Sequence, residues 1–203
     1  MNRTQRLIWT LFGMVMAGLV AVAVWRQGRT PTLPVFGELG SFRLTNQLGA
    51  AVSPDSLRGA VTVVNVIFSR CPGQCHRLSQ QMSRLQGATP EEVRLVSLTA
   101  DPEFDSPAVL AQYGARHGAR PERWWFLTGT KAEVYRVAEQ DLRFTVLDTG
   151  VENPSLEDRF IHSGNFVLLD RQGRLRAVVQ SEDGDAVEQL QRLVEQLRKE
   201  SAS

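Results

Sequence analysis

Two cysteines, Cys71 and Cys75, follow directly on the apolar run of residues 61–68 and are the only cysteines of the chain. The run predicts a buried strand, so the dithiol lies where a strand becomes a helix. The unpaired N–H groups at a helix start and the charge of Arg70 favour thiolate over thiol, and both sulfurs are therefore expected to ionise easily. If the helix includes both cysteines, their sulfurs share one face and can hold a soft metal or form a disulfide.

A second interpretation treats both cysteines as small buried hydrophobes, since free cysteine is among the most buried residue types. The three intervening residues, Pro, Gly and Gln, argue against it. They are poor material for a core helix, but they suit a loop that turns into a helix, where proline is tolerated in the first turn. The dithiol is therefore predicted to be functional.

The N-terminal part of the chain contains nineteen consecutive residues, 7–25, without a charge. A helix of this length spans a hydrocarbon core of roughly 30 Å, which predicts a single transmembrane anchor. The predicted organisation is a cytoplasmic N-terminus at residues 1–6, the anchor at 7–25, a linker at 26–34 and one domain at 35–203.

The orientation of the anchor is predicted from the short basic N-terminus. Two arginines precede the apolar run and two follow it, so the positive-inside rule gives a nearly balanced signal and the N-terminus is expected to stay in the cytoplasm. A cleaved signal peptide is the alternative, because residues 21–23 (AVA) offer a small-residue cleavage pattern. In either case the domain is expected outside the cytoplasm, and the anchored form in the cell inner membrane, facing the periplasm.

The charge composition gives no sign of a nucleic-acid-binding surface. The chain has 23 basic and 22 acidic residues and a net charge of +1, and no cluster of lysine and arginine is interleaved with aromatic residues. The part after the linker has a normal size for one domain with a full hydrophobic core.

Strand and helix patterns alternate along the domain, which predicts an α/β sheet. Strands are predicted at residues 61–68, 93–98, 124–127, 165–169 and 175–179, after an entry hairpin at 41–45 and 50–52. Helices are predicted at residues 73–85, after the N-cap Ser106, at 131–140 and in an amphipathic segment at 187–197. In the first of them Leu78, Met82 and Leu85 lie on one face at helical spacing and are predicted to be core residues. This order, with a dithiol after the first long strand, resembles a thioredoxin-like fold: a central mixed sheet flanked by helices, with an N-terminal hairpin.

Three segments in the same order resemble the Sco/SenC family: residues 68–75 (FSRCPGQC), 99–107 (TADPEFDSP) and 161–163 (IHS). The resemblance covers most of residues 33–197. Members of this family are copper-binding, thioredoxin-like proteins, usually membrane-anchored, that help to assemble the dinuclear copper centre of cytochrome c oxidase. The resemblance implies that Cys71, Cys75 and His162 bind one copper ion, and that the acceptor is cytochrome c oxidase subunit II.

The implied ligand set suits copper on chemical grounds. Two thiolates are suited to Cu(I), and one imidazole lets the same site accept Cu(II). A metallochaperone that hands over one ion needs no catalytic acid or base. Spacing alone does not show that His162 reaches the sulfurs, because a lone histidine beside Ile161 is more often a structural residue.

Two other functions stay open. An extracytoplasmic thiol-disulfide oxidoreductase would use Cys71 and Cys75 as redox residues, one attacking a partner's disulfide and the other resolving the mixed disulfide. The Cys-x3-Cys spacing is one residue longer than the usual redox motif, although both roles can coexist because an acceptor's cysteines must be reduced before they hold copper. A structural zinc module would add His76 or His117 to the same ligands, but no second paired motif supports it.

The residues around the motifs carry their own expectations. His76 stands where the family usually has proline, which affects backbone rigidity and redox potential more than the ligand set. On a helix it lies about 100° from Cys75 and is expected to face solvent, and His117 is expected on the surface at a helix end. Asp101 and Asp105 are expected to shape a turn or face a partner, since carboxylates are hard ligands and Cu(I) is soft.

Overall fold

The structure is a computed structural model of the chain, and it describes residues 2–27, 32–71, 73–148, 160–162 and 164–200. The chain divides into two compact units, Met1–Thr32 and Leu33–Ser203. The second unit contains every residue of the buried hydrophobic core among the described residues.

The N-terminal unit contains one helix, α1 (Arg3–Gln27). Several of its apolar side chains are exposed, among them Trp9, Phe12 and Met14. A search of the described residues finds no helix that is both long and apolar enough to cross a membrane. The anchor predicted at residues 7–25 is not confirmed.

The second unit alternates strands and helices. The described strands are β1 (Gly37–Glu38), β2 (Leu44–Asn46), β3 (Ala51–Val52), β4 (Thr62–Ile67), β5 (Arg94–Thr99), β6 (Trp124–Thr128), β7 (Val146–Asp148), β8 (Phe160–His162), β9 (Asn165–Leu169) and β10 (Arg174–Gln180). The described helices are α2 (Pro54–Leu57), α3 (Gln74–Ala88), α4 (Pro107–Arg116), α5 (Lys131–Arg136) and α6 (Ala186–Glu200).

Eight of these strands form one mixed sheet in the order β1–β10–β9–β4–β5–β6–β2–β3, and β7 pairs with β8 separately. The middle strands β4, β5 and β6 are parallel, and β9 joins β4 in the antiparallel direction, with Val64 opposite Val167. The predicted α/β class and mixed sheet are confirmed. Because β4 and β9 are antiparallel neighbours, the C-terminal end of β4 and the N-terminal end of β9 lie next to each other.

Burial of apolar side chains explains why the segments before and after the dithiol form a strand and a helix. All six residues of β4 are buried, as expected for a central parallel strand that is covered on both faces. Helix α3 buries Leu78, Met82 and Leu85, whose helical spacing predicted this stripe. Each such side chain contributes about 1.5–3 kcal/mol when it is fully buried. The core therefore fixes the start of α3 relative to the end of β4.

Three details differ from the prediction. Helix α3 (Gln74–Ala88) begins one residue after its predicted start and ends three residues after its predicted end. The helix predicted at residues 131–140 is α-helical only through α5 and continues as a π-helical turn at Val137–Asp141. The pairing of β7 with β8 was not predicted, because three-residue strands carry too few positions for a periodic pattern.

Candidate metal centre

The dithiol lies at the start of α3, but only Cys75 is helical. Gly73 is the N-cap, and Cys75 is the second residue of the helix. The N–H of Cys75 donates to Cys71 Sγ at 3.4 Å, and the N–H of Phe68 donates to Cys75 Sγ at 3.4 Å. The condition that the helix includes both cysteines is not met, in agreement with the helix start predicted at residue 73. The loop instead turns back so that an N–H group of the first helical turn binds the Cys71 sulfur.

The Cys75 thiol is harder to ionise than an ordinary cysteine. A hydrogen bond with the Cys71 side chain, burial and the charge of Cys71 raise the pKa of Cys75, while the N–H of Phe68 acts in the opposite direction. Cys75 is fully buried and Cys71 is half-buried. The expectation that both sulfurs ionise easily is therefore wrong for Cys75, because burial disfavours a second negative charge. Cys71 is the accessible member of the pair.

A buried carboxylate fixes the loop that leads from β4 to Cys71. Asp105 accepts hydrogen bonds from the N–H of Ser69 at 3.1 Å and from the hydroxyl of Thr99 at 2.5 Å, and the Ser69 hydroxyl also donates to it. Burial raises the pKa of Asp105, although the hydrogen bonds from Ser69 and Thr99 act to lower it. These contacts connect the ends of β4 and β5 directly below the dithiol loop.

The second aspartate pairs with the arginine that precedes Cys71. Asp101 is 2% exposed and accepts hydrogen bonds from Arg70 Nε at 3.2 Å and Arg70 Nη2 at 2.5 Å. The Arg70 guanidinium also lies 4.0 Å from the centroid of the Phe104 ring. The ion pair with Asp101 therefore reduces the effect of the Arg70 charge on the ionisation of the two cysteines. The structural role expected for Asp101 and Asp105 is confirmed, because both carboxylates are occupied by protein donors.

His162 is the last residue of β8, where it pairs with Val146, and its side chain lies outside the described part of the chain. Gly164, two residues later, packs against the start of α3. A Cβ atom on Gly164 would overlap the Gln74 side-chain amide, and it would come within 3.1 Å of Ser181 Oγ. Gly164, directly before β9, therefore lies against the helix turn that carries Cys75.

Two further hydrogen bonds hold this contact. The N–H of Ser181, directly after β10, donates to the Gly164 carbonyl at 3.0 Å. The Gln81 amide on α3 in turn donates to the Ser181 carbonyl at 2.9 Å. The start of β9, the end of β10 and helix α3 are thus joined in one chain of contacts. The sequence motifs gave no sign of the roles of Gln74, Gln81 and Ser181, because they depend on long-range packing.

The described side chains contain no group of three or more histidines, cysteines and acids placed to hold a metal ion. The His162 side chain is outside that set, so its assignment as a third ligand stays a prediction. The structure brings Cys71 and Cys75 together, as predicted, with the N–H of Cys75 bound to the Cys71 sulfur. Two adjacent sulfurs at the end of a rigid strand form a two-coordinate donor pair suited to a soft cation.

The other two histidines, His76 on α3 and His117 directly after α4, lie close together. His76 is exposed, as expected, and its Nε2 lies 2.9 Å from the Gln80 amide nitrogen. Its ring centroid is 5.2 Å from that of His117, which is half-buried and packs 4.6 Å from the Tyr113 ring. Burial and the nearby charges of His76 and Arg116 lower the pKa of His117. His117 is therefore less exposed than expected.

Residues 35–198 match the sequence model of a protein family described as SCO1/SenC. The match covers most of the chain and includes the dithiol and the loops around it. The chain belongs to the SCO1/SenC family. The predicted resemblance to Sco/SenC proteins is confirmed.

Individual relatives agree with this membership. The chain is 32% identical over 146 residues to the SCO1 protein homolog of Bacillus subtilis, which covers 70% of this chain and 73% of that protein. The structure of Bradyrhizobium japonicum ScoI with copper bound has a TM-score of 0.64 at 25% identity, over 79% of this chain and 99% of that one. BsSco, described as a member of the Sco family of cytochrome c oxidase assembly proteins with a disulfide switch, has a TM-score of 0.70 at 24% identity, over 84% and 99%.

Proposed function

We propose that this chain is a copper metallochaperone that binds one ion through Cys71, Cys75 and His162 and passes it to the dinuclear copper centre of cytochrome c oxidase. The observation that carries the proposal is the pair of hydrogen-bonded cysteines at the start of α3 in a chain of the SCO1/SenC family. The copper-bound relative and the oxidase-assembly relative support the choice of cargo and acceptor. The proposed acceptor is cytochrome c oxidase subunit II.

The burial of Cys75 suits a carrier that must release its cargo. The raised pKa of Cys75 means that the empty pair retains a proton, which the incoming copper ion has to displace. Metal binding by thiols releases protons and weakens as the pH falls. Cys71 is half-buried and is the sulfur that an acceptor's ligands can reach. Transfer then proceeds by exchange of ligands, from sulfur to sulfur, with no catalytic acid or base.

His162 is proposed as the ligand that lets the site hold Cu(II) as well as Cu(I), since imidazole suits Cu(II) and two thiolates suffice for Cu(I). The contact of Gly164 with Gln74 supports this proposal, because it places a residue two positions after His162 against the first residue of α3.

The test of this ligand set compares His162→Ala with His117→Ala. The second variant is the control, because it removes a histidine that is not a proposed copper ligand. We expect His162→Ala to weaken Cu(II) binding at least tenfold more than Cu(I) binding, whereas His117→Ala leaves both unchanged. An equal loss of Cu(I) and Cu(II) affinity in His162→Ala would contradict the assignment of His162 as a ligand needed mainly for Cu(II). Metal loss in His117→Ala, with zinc found by mass spectrometry, would favour a structural zinc site.

We also propose that the chain is anchored in the cell inner membrane by residues 7–25, with the domain in the periplasm. The uncharged run and the exposed apolar side chains of α1 support the anchor. Carbonate extraction of membranes tests it: the chain should stay in the pellet, and protease added to spheroplasts should digest the domain. Release of an intact chain by carbonate would contradict the anchor.

A thiol-disulfide oxidoreductase is the second candidate, and the unequal exposure of the two sulfurs favours it. An accessible Cys71 beside a buried Cys75 is the arrangement of an attacking thiol and a resolving thiol. In this activity the Cys71 thiolate attacks a partner's disulfide and forms a mixed disulfide, releasing one partner thiolate. Cys75 then attacks the Cys71 sulfur, so that a Cys71–Cys75 disulfide forms, the second partner thiolate leaves, and the two electrons of the dithiol have reduced the partner. Insulin reduction that is undiminished in His162→Ala, together with absent copper binding, would favour this function over the carrier.

A further inference from the structure

The side of α3 that faces α4 carries a cleft that begins at His76, next to Cys75, and contains two arginines. It has a volume of about 360 Å³. The residues that line it, called here the basic cleft, are His76, Gln80, Ser83, Arg84, Arg116 and His117. None of the six is acidic, and four carry basic side chains. Arg84 and Arg116 give the cleft a positive potential on a chain whose net charge is only +1.

The arginines of the basic cleft differ from most arginines of the second unit. Arg70, Arg136 and Arg176 each form an ion pair with an aspartate. Arg84 and Arg116 are exposed, and no described residue forms an ion pair with either. The Arg116 guanidinium lies 5.7 Å from the centroid of the Tyr113 ring. Since no carboxylate of the described residues pairs with Arg84 or Arg116, the planar donors of both guanidinium groups are available to bind carboxylates of another molecule.

The basic cleft is coupled to the dithiol through covalent and packing contacts. His76 directly follows Cys75 in the chain. On the other wall, the His117 ring packs against Tyr113, whose hydroxyl donates to the Cys75 carbonyl at 3.3 Å and hydrogen-bonds with the Ser79 hydroxyl at 2.8 Å. The basic cleft therefore begins beside Cys75 and extends along α3 to Arg84, which lies nine residues further along the chain, or about 13 Å along the helix axis.

We propose that the basic cleft docks an acidic segment of the copper acceptor protein and so aligns the acceptor's ligands with Cys71. The inference rests on the proposed function for the identity of that partner, while the acidic character of the docked segment follows from the cleft itself. A bound cation is disfavoured, because both arginines would repel it. Carboxylates on a partner would instead meet the two arginines, which raises the rate of encounter and fixes the orientation of the complex.

The test uses the full-length chain, loaded with copper, and a fluorescein-labelled polyglutamate peptide as the first probe. Anisotropy titration at low and moderate salt compares the wild type with Arg84→Glu/Arg116→Glu and with Arg43→Glu, an exposed arginine remote in sequence from the basic cleft. We expect the double variant to weaken peptide binding about tenfold and to reduce its salt dependence, and the control to change it less than about twofold. Equal weakening in both variants would overturn the proposal.

A second measurement links the basic cleft to copper transfer. The apo soluble domain of cytochrome c oxidase subunit II is mixed with each copper-loaded variant, and the rate of copper transfer is followed by visible absorption. The double variant should retain its own copper and slow transfer about tenfold. Unchanged transfer with weakened peptide binding would overturn the docking role. Loss of copper from the wild type itself would instead refute the proposed function, leaving the peptide result to decide the cleft.

Anionic lipid is the competing source of negative charge. Vesicles of phosphatidylcholine and phosphatidylglycerol in equal parts are therefore titrated against the same variants. Vesicle binding that falls in the double variant, with no binding of the peptide, would assign the basic cleft to the membrane surface and overturn the proposal. The neutral variant Arg84→Gln/Arg116→Gln, which should weaken peptide binding by a smaller factor than the charge reversal, separates loss of attraction from new repulsion.

Discussion

Removal of the Asp105 carboxylate is expected to destabilise the loop that carries the dithiol. Asp105 is fully buried and accepts hydrogen bonds from the Ser69 N–H, the Ser69 hydroxyl and the Thr99 hydroxyl. Asp105→Ala leaves these donors without an acceptor, at about 1 kcal/mol for each bond. The alanine also removes a buried charge, which offsets part of the loss. We expect the free energy of unfolding to fall by about 2 kcal/mol.

The measurement is urea denaturation of the reduced domain, residues 33–203, which forms its own compact unit. Asp105→Asn should cost only about 1 kcal/mol, because the amide oxygen still accepts and the amide nitrogen can donate to a rotated Ser69 hydroxyl. Asp55→Ala is the surface control, since that aspartate is exposed and pairs with the exposed Arg58; its effect should be below about 0.5 kcal/mol. An effect of Asp105→Ala no larger than that of the control would refute the reasoning.

The pH dependence gives a second check on Asp105. Its pKa is raised in the folded chain, so the folded state binds the proton more tightly than the unfolded state. Protonated Asp105 therefore contributes to the free energy of unfolding. This contribution is complete below the unfolded pKa of about 3.9 and is lost as the pH rises through the folded pKa. Asp105→Asn should remove this decline. A steeper decline in Asp105→Asn than in the wild type would contradict the sign.

Three further substitutions test the contacts around the site. Gly164→Ala should weaken Cu(II) binding severalfold in a titration, because its methyl group overlaps the Gln74 amide, and Gln74→Ala should restore binding in the double variant. Gly114→Ala should lower the free energy of unfolding by about 1–2 kcal/mol in urea, since its Cβ would lie 2.7 Å from the Phe126 ring. Burial acts to raise the pKa of Asp170, but hydrogen bonds from two arginines and backbone N–H groups outweigh it and lower the pKa. That stability is present above pH of about 3.9 and is lost on acidification, so Asp170→Asn should cost about 3 kcal/mol at neutral pH in a denaturation series and should flatten the acid limb.

Local patterns were sufficient to predict the elements that surround the site. The apolar run of β4 and the spacing of Leu78, Met82 and Leu85 on α3 each identify a buried face, and both are confirmed. Three short motifs were sufficient to predict the family, because their order along the chain is specific. What the patterns could not supply was the protonation of Cys75, which depends on burial and on the orientation of a neighbouring thiol.

The missed features share one physical cause. Asp105 meets Ser69 and Gly164 meets Gln74 across large sequence separations, and such contacts are set by packing of the whole sheet and not by periodicity. A polar residue at the end of a buried strand, such as Ser69 or Thr99, was the one available signal. Such residues often serve as hydrogen-bond partners for loops at the same sheet edge.

Copper titration of the reduced full-length chain, followed by visible absorption, tests the central claim most directly. We expect Cu(II) to bind at one equivalent, with thiolate-to-copper charge transfer that disappears in Cys71→Ser and persists in His76→Ala. Charge transfer of undiminished intensity in Cys71→Ser, or a wild-type chain that binds no copper, would contradict the account.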